Sequence, residues 1–159
     1  MSFEKTRPTL AKVRSKMENY CAYQERCHSE VKGKLFHLGL KSDEADEILV
    51  HLIQQGFLNE ERFANAYVSG KFNIKGWGRK KIIYQLKGKG INVKLIQAAI
   101  SRIEETDYEK TLYSLIEKKA ATMKEKDTFK KMASLTQYLV NTGYEIDLVI
   151  NFVKKYFKP

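Results

Sequence analysis

Apolar residues recur along this chain at three- and four-residue spacing, interrupted by glycines and by short polar residues suited to capping. That is the pattern of successive amphipathic helices. A first helix is expected from about Leu10 to Cys27, with Leu10, Val13, Met17 and Tyr20 on one face. Ser29 can cap a short second helix, whose Leu35 and Leu38 face inward before Gly39. Ser42 can cap a third, with Asp43 and Glu44 in the first turn, where the helix dipole favours anions. Its inner face is Ala45, Ile48, Leu49 and Leu52, and Gly56 ends it.

The pattern restarts at Asn59, a good N-cap followed by Glu60 and Glu61. Phe63 and Tyr67 lie one turn apart on this helix, which is expected to fade at Gly70. A loop, NIKGWGRK, leads into a helix starting near Trp77 and ending at Gly90. Asn92 caps the next, with Ile96, Ala99, Ile100 and Ile103 inward. A further helix begins near Asp107, with Leu112, Leu115 and Ile116 inward, and the charged run KEKD breaks it. Asp127 or Thr128 caps a helix carrying Met132, Leu135 and Leu139 that ends at Gly143. The last carries Ile146, Val149, Ile150, Val153 and Phe157.

Three of these helices share a Leu-x3-Gly ending, at Leu35–Gly39, Leu86–Gly90 and Leu139–Gly143. Gly39 and Gly90 are 51 positions apart, and Gly90 and Gly143 are 53 apart. A near-constant period of caps, lengths and glycines reads as an array in which each unit buries its face partly against its neighbours. The fold class is therefore all-α, three tandem three-helix repeats: an N-terminal arm over residues 1–9, then units at 10–58, 59–106 and 107–159.

Composition changes the picture in two ways. The chain has 159 residues, 43% of them hydrophobic, and two prolines, Pro8 and Pro159, near its ends, which suits continuous helices around a core. The formal net charge is +10, which directs attention to polyanions or acidic protein surfaces. No run is apolar enough for a membrane span, and MSFEKTRPTLAKVRSKMENY lacks the apolar region of a signal peptide, so a cytoplasmic protein without a membrane partner is expected.

The positive charge is concentrated in one stretch. From Arg62 to Arg102 there is no Asp or Glu, yet the stretch holds Arg62, Lys71, Lys75, Arg79, Lys80, Lys81, Lys87, Lys89, Lys94 and Arg102. A solvated helix face normally mixes both signs. An unmixed block makes a field that attracts phosphate. On a helical wheel Ile82, Ile83 and Leu86 make the buried side, while Trp77, Lys80, Lys81, Tyr84 and Lys87 fall opposite and Arg79 near the edge. Lysines neutralise phosphates and aromatic rings stack on unpaired bases. Lys75-Gly76-Trp77-Gly78 adds backbone N–H groups at a helix N-terminus, a natural anion site. The glycines at 70, 76, 78, 88 and 90 lower helix stability, so residues 71–78 are expected to be mobile.

No catalytic constellation is present: no Ser/His/Asp set, no phosphate-binding GxxxxGK[ST] loop, no HExxH. Cys21 and Cys27 are spaced C-x5-C, and Cys27, His28 and His37 lack a fourth ligand, so no metal and no cofactor are expected.

ERFANAYVSGKFNIKGWGRKKIIYQLKGKGI resembles the middle repeat of the RecX family, bacterial regulators of the RecA recombinase. The resemblance rests on Arg62-Phe63-Ala64, Tyr67-Val68, Lys75-Gly76, Gly78-Arg79, Ile82, Leu86 and Lys89-Gly90-Ile91. Arg26, Ser29, Glu30, Leu35 and Gly39 resemble the first repeat, and MASLTQYLVNTGYEIDLVINFV the third. Gly33, where a leucine is usual, and Trp77 depart from the family pattern. The resemblance implies an elongated, curved array and a non-enzymatic monomer. It further implies binding along the groove of the RecA–DNA filament, inhibiting or remodelling it in recombination and repair, and contact with single- and double-stranded DNA. Arg62, Lys71, Lys75, Arg79, Lys80, Lys81, Lys87 and Lys89 would supply charge there, Trp77 and Tyr84 contact area, and Gly76 and Gly78 close backbone approach.

Two other readings stay open. A stand-alone helix-turn-helix DNA-binding module would need base-reading side chains, and the third helix of the middle unit offers chiefly Asn92, Lys94, Gln97 and Arg102. A nuclease would need clustered carboxylates for metal ions, which the basic block does not contain.

Overall fold

Short polar side chains set several helix starts. Thr9, Asn59, Asn92 and Asp127 accept backbone N–H bonds from Lys12, Arg62, Lys94 and Lys130 at 3.3, 2.9, 2.8 and 3.0 Å. In the computed structural model, which describes residues 8–159, the described residues form nine helices and no strand. They are α1 (Leu10–Tyr23), α2 (His28–His37), α3 (Ser42–Gln54), α4 (Glu60–Asn73), α5 (Arg79–Gly88), α6 (Val93–Ser101), α7 (Glu105–Thr122), α8 (Thr128–Asn141) and α9 (Ile146–Phe157). Helices α1–α3, α4–α6 and α7–α9 pack as three sets of three, called units one, two and three below. Most of the N-terminal arm, residues 1–7, lies outside the described residues.

Several boundaries differ from the sequence expectation. The first helix stops at Tyr23, the fourth runs through Gly70 to Asn73, the fifth starts at Arg79 and the seventh at Glu105. Helices α2 and α3 start beside the predicted serines, at caps Cys27 and Lys41, because Glu30 and Glu44 reach back to those residues' N–H groups at 3.2 and 3.1 Å. The three Leu-x3-Gly endings share one geometry. Gly39, Gly90 and Gly143 all have positive φ, and the following Leu40, Ile91 and Tyr144 donate to Leu35, Leu86 and Leu139. Each is a left-handed helix end closed by a six-residue ring, and the residue after the glycine is buried.

The units do not bury their faces equally. Unit one has its own core, with Val13, Met17, Val31, Leu35, Ile48 and Leu52. Units two and three share one continuous core, running from Phe63, Ile82, Leu86 and Ile96 through Tyr108, Leu112 and Leu139 to Val153. In α9, Val149 and Val153 are buried while Ile146 and Ile150 are exposed.

The junction between units two and three is a backbone-to-backbone dock. Gly78 and Lys80 donate their N–H groups to Thr142 and Gly143 at 2.9 Å each. A Cβ on Gly78 would lie 2.3 Å from the Gly143 carbonyl carbon, and one on Gly143 would lie 2.5 Å from the Lys81 Cβ. Only two glycines let the chains approach this closely. The junction between units one and two is mainly polar, with Cys27 of unit one buried against the core of unit two. Glu60 accepts from the His28 N–H at 3.2 Å, Ser29 Oγ donates to the Lys89 carbonyl at 3.0 Å, and Arg62 pairs with Glu25.

Candidate nucleic-acid interface

The acid-free stretch forms α4, α5, α6 and the turns between them, so its charge is presented by unit two. The residues singled out there divide into three groups.

Two are arginines held internally. The Arg79 guanidinium lies over the Tyr108 ring, 3.8 Å from its centroid, donates to Glu145 at 3.2 Å and pairs with Glu105. The Tyr108 hydroxyl accepts the Arg79 N–H at 3.1 Å and donates to Glu145 at 2.7 Å. Burial, then the Glu145 carboxylate, pushes the Tyr108 hydroxyl well above the ordinary tyrosine range, outweighing the bond from Arg79. Arg62 pairs with Glu25 and donates to the carbonyls of Gly56 and Phe57 at 3.0 and 3.3 Å. Both arginines therefore join one unit to the next.

A second group is a row of alternating cations and rings. The Lys81 and Lys71 ammoniums lie 4.3 and 4.8 Å from the Trp77 ring centroid. Lys71 also lies 5.4 Å from the Tyr67 ring, and Lys89, at the far end of α5, lies 5.9 Å from that same ring. The order Lys89, Tyr67, Lys71, Trp77, Lys81 links α4 to both ends of α5. Each pairing is worth about 0.5–1 kcal/mol at a part-exposed site, which biases a flexible lysine toward the ring. Trp77 is half-buried against the core, off the outer face of α5. Tyr67 was not among the residues expected here. Its four-residue spacing from Lys71 on one helix face was the available signal.

The third group is fully outward. Lys80, Tyr84 and Lys87 share the outer face of α5, and Tyr84 is 75% exposed. Lys75 is exposed in the α4–α5 turn beside Ile74, which is 81% exposed.

Two expectations for the glycine turn are corrected. The N-terminus of α5 is not an open anion site, because the N–H groups of Gly78, Arg79 and Lys80 are given to Thr142, Tyr108 and Gly143. Residues 71–78 are tied down rather than loose: Gly76 donates to Phe72 at 3.1 Å, Trp77 to Lys71 at 3.0 Å, and the Gly76 carbonyl accepts from the Tyr144 hydroxyl at 2.9 Å. The close approach at Gly78 is to Gly143 of the same chain.

Cys21 and Cys27 are buried free thiols, and burial pushes both above the usual cysteine range. No group of three His, Cys, Asp or Glu residues among the described residues is placed to hold a metal ion. No helix among them is long and apolar enough to cross a membrane.

Comparison with known proteins gives a consistent result. The family model described as RecX, second three-helix domain, matches residues 59–100, which cover α4–α6. A regulatory protein RecX of Clostridium perfringens is 29% identical over 132 residues, 82% of this chain and 61% of that protein. The chain thus spans about three fifths of the length of that relative. A regulatory protein RecX of Chlorobium limicola is 25% identical over 84% of this chain and 83% of its own length. Among solved structures, RecX from Lactobacillus salivarius superposes with a TM-score of 0.80 at 26% identity, covering 92% of this chain and 95% of the other.

Proposed function

We propose that this chain is a member of the RecX family, which its similarity to RecX proteins supports, and that it regulates a RecA recombinase by binding the recombinase–DNA filament, with the basic surface of unit two as the principal contact. One observation carries the assignment of the surface. Among the described residues, none of Lys71, Lys75, Lys80, Lys81, Lys87 and Lys89 is in an ion pair, whereas Arg62 and Arg79 of the same stretch are neutralised from within the chain. The arginines hold the units together, and the lysines keep their charge for a partner.

A recombinase filament presents DNA phosphates beside protein surface. Ammoniums biased toward Tyr67 and Trp77 meet phosphate with a smaller loss of rotamer freedom, and the outer Lys80, Tyr84 and Lys87 add area. The chain acts by occupancy, as a cytoplasmic monomer that opposes filament growth, and it needs no cofactor. The test is binding to recombinase filaments on single-stranded DNA, to bare single- and double-stranded DNA, and to free recombinase, across a salt series. The filament is expected to bind tightest. Bare duplex binding as tightly as the filament overturns this reading in favour of a stand-alone DNA-binding module. Protein-dependent cleavage of the DNA in magnesium would overturn the non-catalytic part.

A further inference from the structure

A cleft of about 350 Å³ lies at the junction of units one and two, and its two walls differ in chemistry. Unit one contributes Gln24, Glu25 and Glu30, and unit two contributes Tyr67, Lys71 and Lys89. We propose that this cleft takes one unstacked nucleotide of a single strand, and that it favours a base bearing an exocyclic amine. The proposal rests on the reading of unit two as a nucleic-acid surface and deepens it.

The cleft suits a ligand that is negative at one end and an amine donor at the other. Lys71 and Lys89 lie over the Tyr67 ring, 5.4 and 5.9 Å from its centroid, so a base that stacks there takes the place of an ammonium and leaves that charge beside its own phosphate. Carboxylates accept from amines such as cytosine N4, and thymine has no such donor. The acceptors here have unused capacity. Glu25 gives Oε1 to Arg62, while its Oε2 is buried with no hydrogen-bond partner. Glu30 takes the Cys27 N–H and thiol on Oε1 alone, at 3.2 and 3.1 Å. Glu25 Oε2 is too enclosed to meet a ligand, so the acceptor offered to an entering amine is the second oxygen of Glu30, where a charge-assisted bond can form. A cationic peptide would satisfy the carboxylates but would meet Lys71 and Lys89 unfavourably. Duplex DNA cannot enter, because its bases are stacked and paired.

The experiment is anisotropy titration of the whole chain with short labelled oligo-dC and oligo-dT at fixed salt. The variants are Glu30→Gln, which can keep its bond to the Cys27 N–H, Tyr67→Leu, which removes the ring, and Tyr67→Phe, which retains it. Thermal unfolding verifies that each variant is folded. The expected result is that wild type prefers oligo-dC by about fivefold or more, the gain from one good carboxylate–amine pair. Glu30→Gln abolishes that preference, Tyr67→Leu weakens both oligonucleotides, and Tyr67→Phe binds like wild type. Equal binding of both oligonucleotides by wild type, with the variants unchanged, overturns the cleft and leaves the basic surface standing. Variants that lose filament binding while keeping the oligonucleotide behaviour of wild type overturn it in favour of a protein occupant. No binding to either oligonucleotide at low salt overturns both the cleft and the nucleic-acid reading beneath it.

Discussion

At the residue scale, Gly143 carries two constraints at once. Its φ of 109° is unfavourable for any side chain, and a Cβ there would meet Lys81 and Gly78 atoms at 2.5–2.9 Å. Gly78 has an ordinary φ but would put a Cβ into the Gly143 backbone. Gly143→Ala and Gly78→Ala are each expected to lose about 2 kcal/mol or more in urea unfolding. Gly70→Ala, in the middle of α4 with open space around it, is expected to gain about 0.5–1 kcal/mol in the same assay. Tyr144 gives a second residue-scale prediction. Burial, then Glu145, raises its hydroxyl above the ordinary value of 10.0. A raised acid keeps its proton in the folded state, so its contribution is complete below pH 10 and is lost as pH climbs toward the folded value. Above pH 10 the unfolded chain ionises this tyrosine while the folded chain does not. Tyr144→Phe, which also loses the bond to Gly76, is expected to show a shallower alkaline loss of stability by up to about 1.4 kcal/mol per pH unit. Parallel slopes for the two proteins between pH 9 and 11 would contradict this.

At the element scale, α5 is pinned at one end and free along its outer face. Its first residue, Arg79, bridges to α7 through Glu105 and Tyr108 and to the residue before α9 through Glu145. Arg79→Ala is expected to cost about 2–3 kcal/mol of stability, because it leaves Glu145 with the Tyr108 hydroxyl but no cation and uncovers the Tyr108 ring. Arg79→Lys restores little, since an ammonium cannot both fork between two carboxylates and lie flat on a ring. Lys80→Ala, one residue on and exposed, is expected to stay within about 0.5 kcal/mol of wild type. Denaturant unfolding separates these outcomes, and equal effects at the two positions would refute the division of roles.

The same helix shows what could be read from sequence. The alternation of Ile82 and Leu86 with Lys80, Tyr84 and Lys87 gives its buried and exposed faces directly, because helical period is local. Asn59, Asn92 and Asp127 likewise announce helix starts through bonds spanning two or three residues. Arg79 was legible only as a charge. Its partner Glu145 is 66 positions away and meets it through a glycine-to-glycine dock that no local pattern encodes. Tyr67 was hidden for a related reason: Lys89, which lies beside its ring, reaches it from the far end of another helix.

At the scale of the whole molecule, the three-unit pattern resolves into two packed bodies. Units two and three are fused by a common core and the backbone dock, while unit one meets unit two through side-chain polar bonds and a few apolar atoms such as those of Cys27. Unit two thus presents its lysines from a rigid platform, and unit one forms the second wall of the nucleotide cleft. The net charge of +10 makes any polyanion contact salt-dependent, but only local substitution identifies the surface responsible.

The most direct measurement is the salt dependence of binding to recombinase filaments for wild type and for Lys75→Ala/Lys80→Ala/Lys87→Ala. All three side chains are exposed, and none holds an ion pair among the described residues, so folding should be unaffected. If unit two is the contact surface, the variant binds more weakly and its log–log salt slope falls by about 2–3, roughly 0.7–0.9 for each phosphate no longer neutralised. Unchanged affinity and slope in a fully folded variant would contradict the account and move the binding surface to another face of the array.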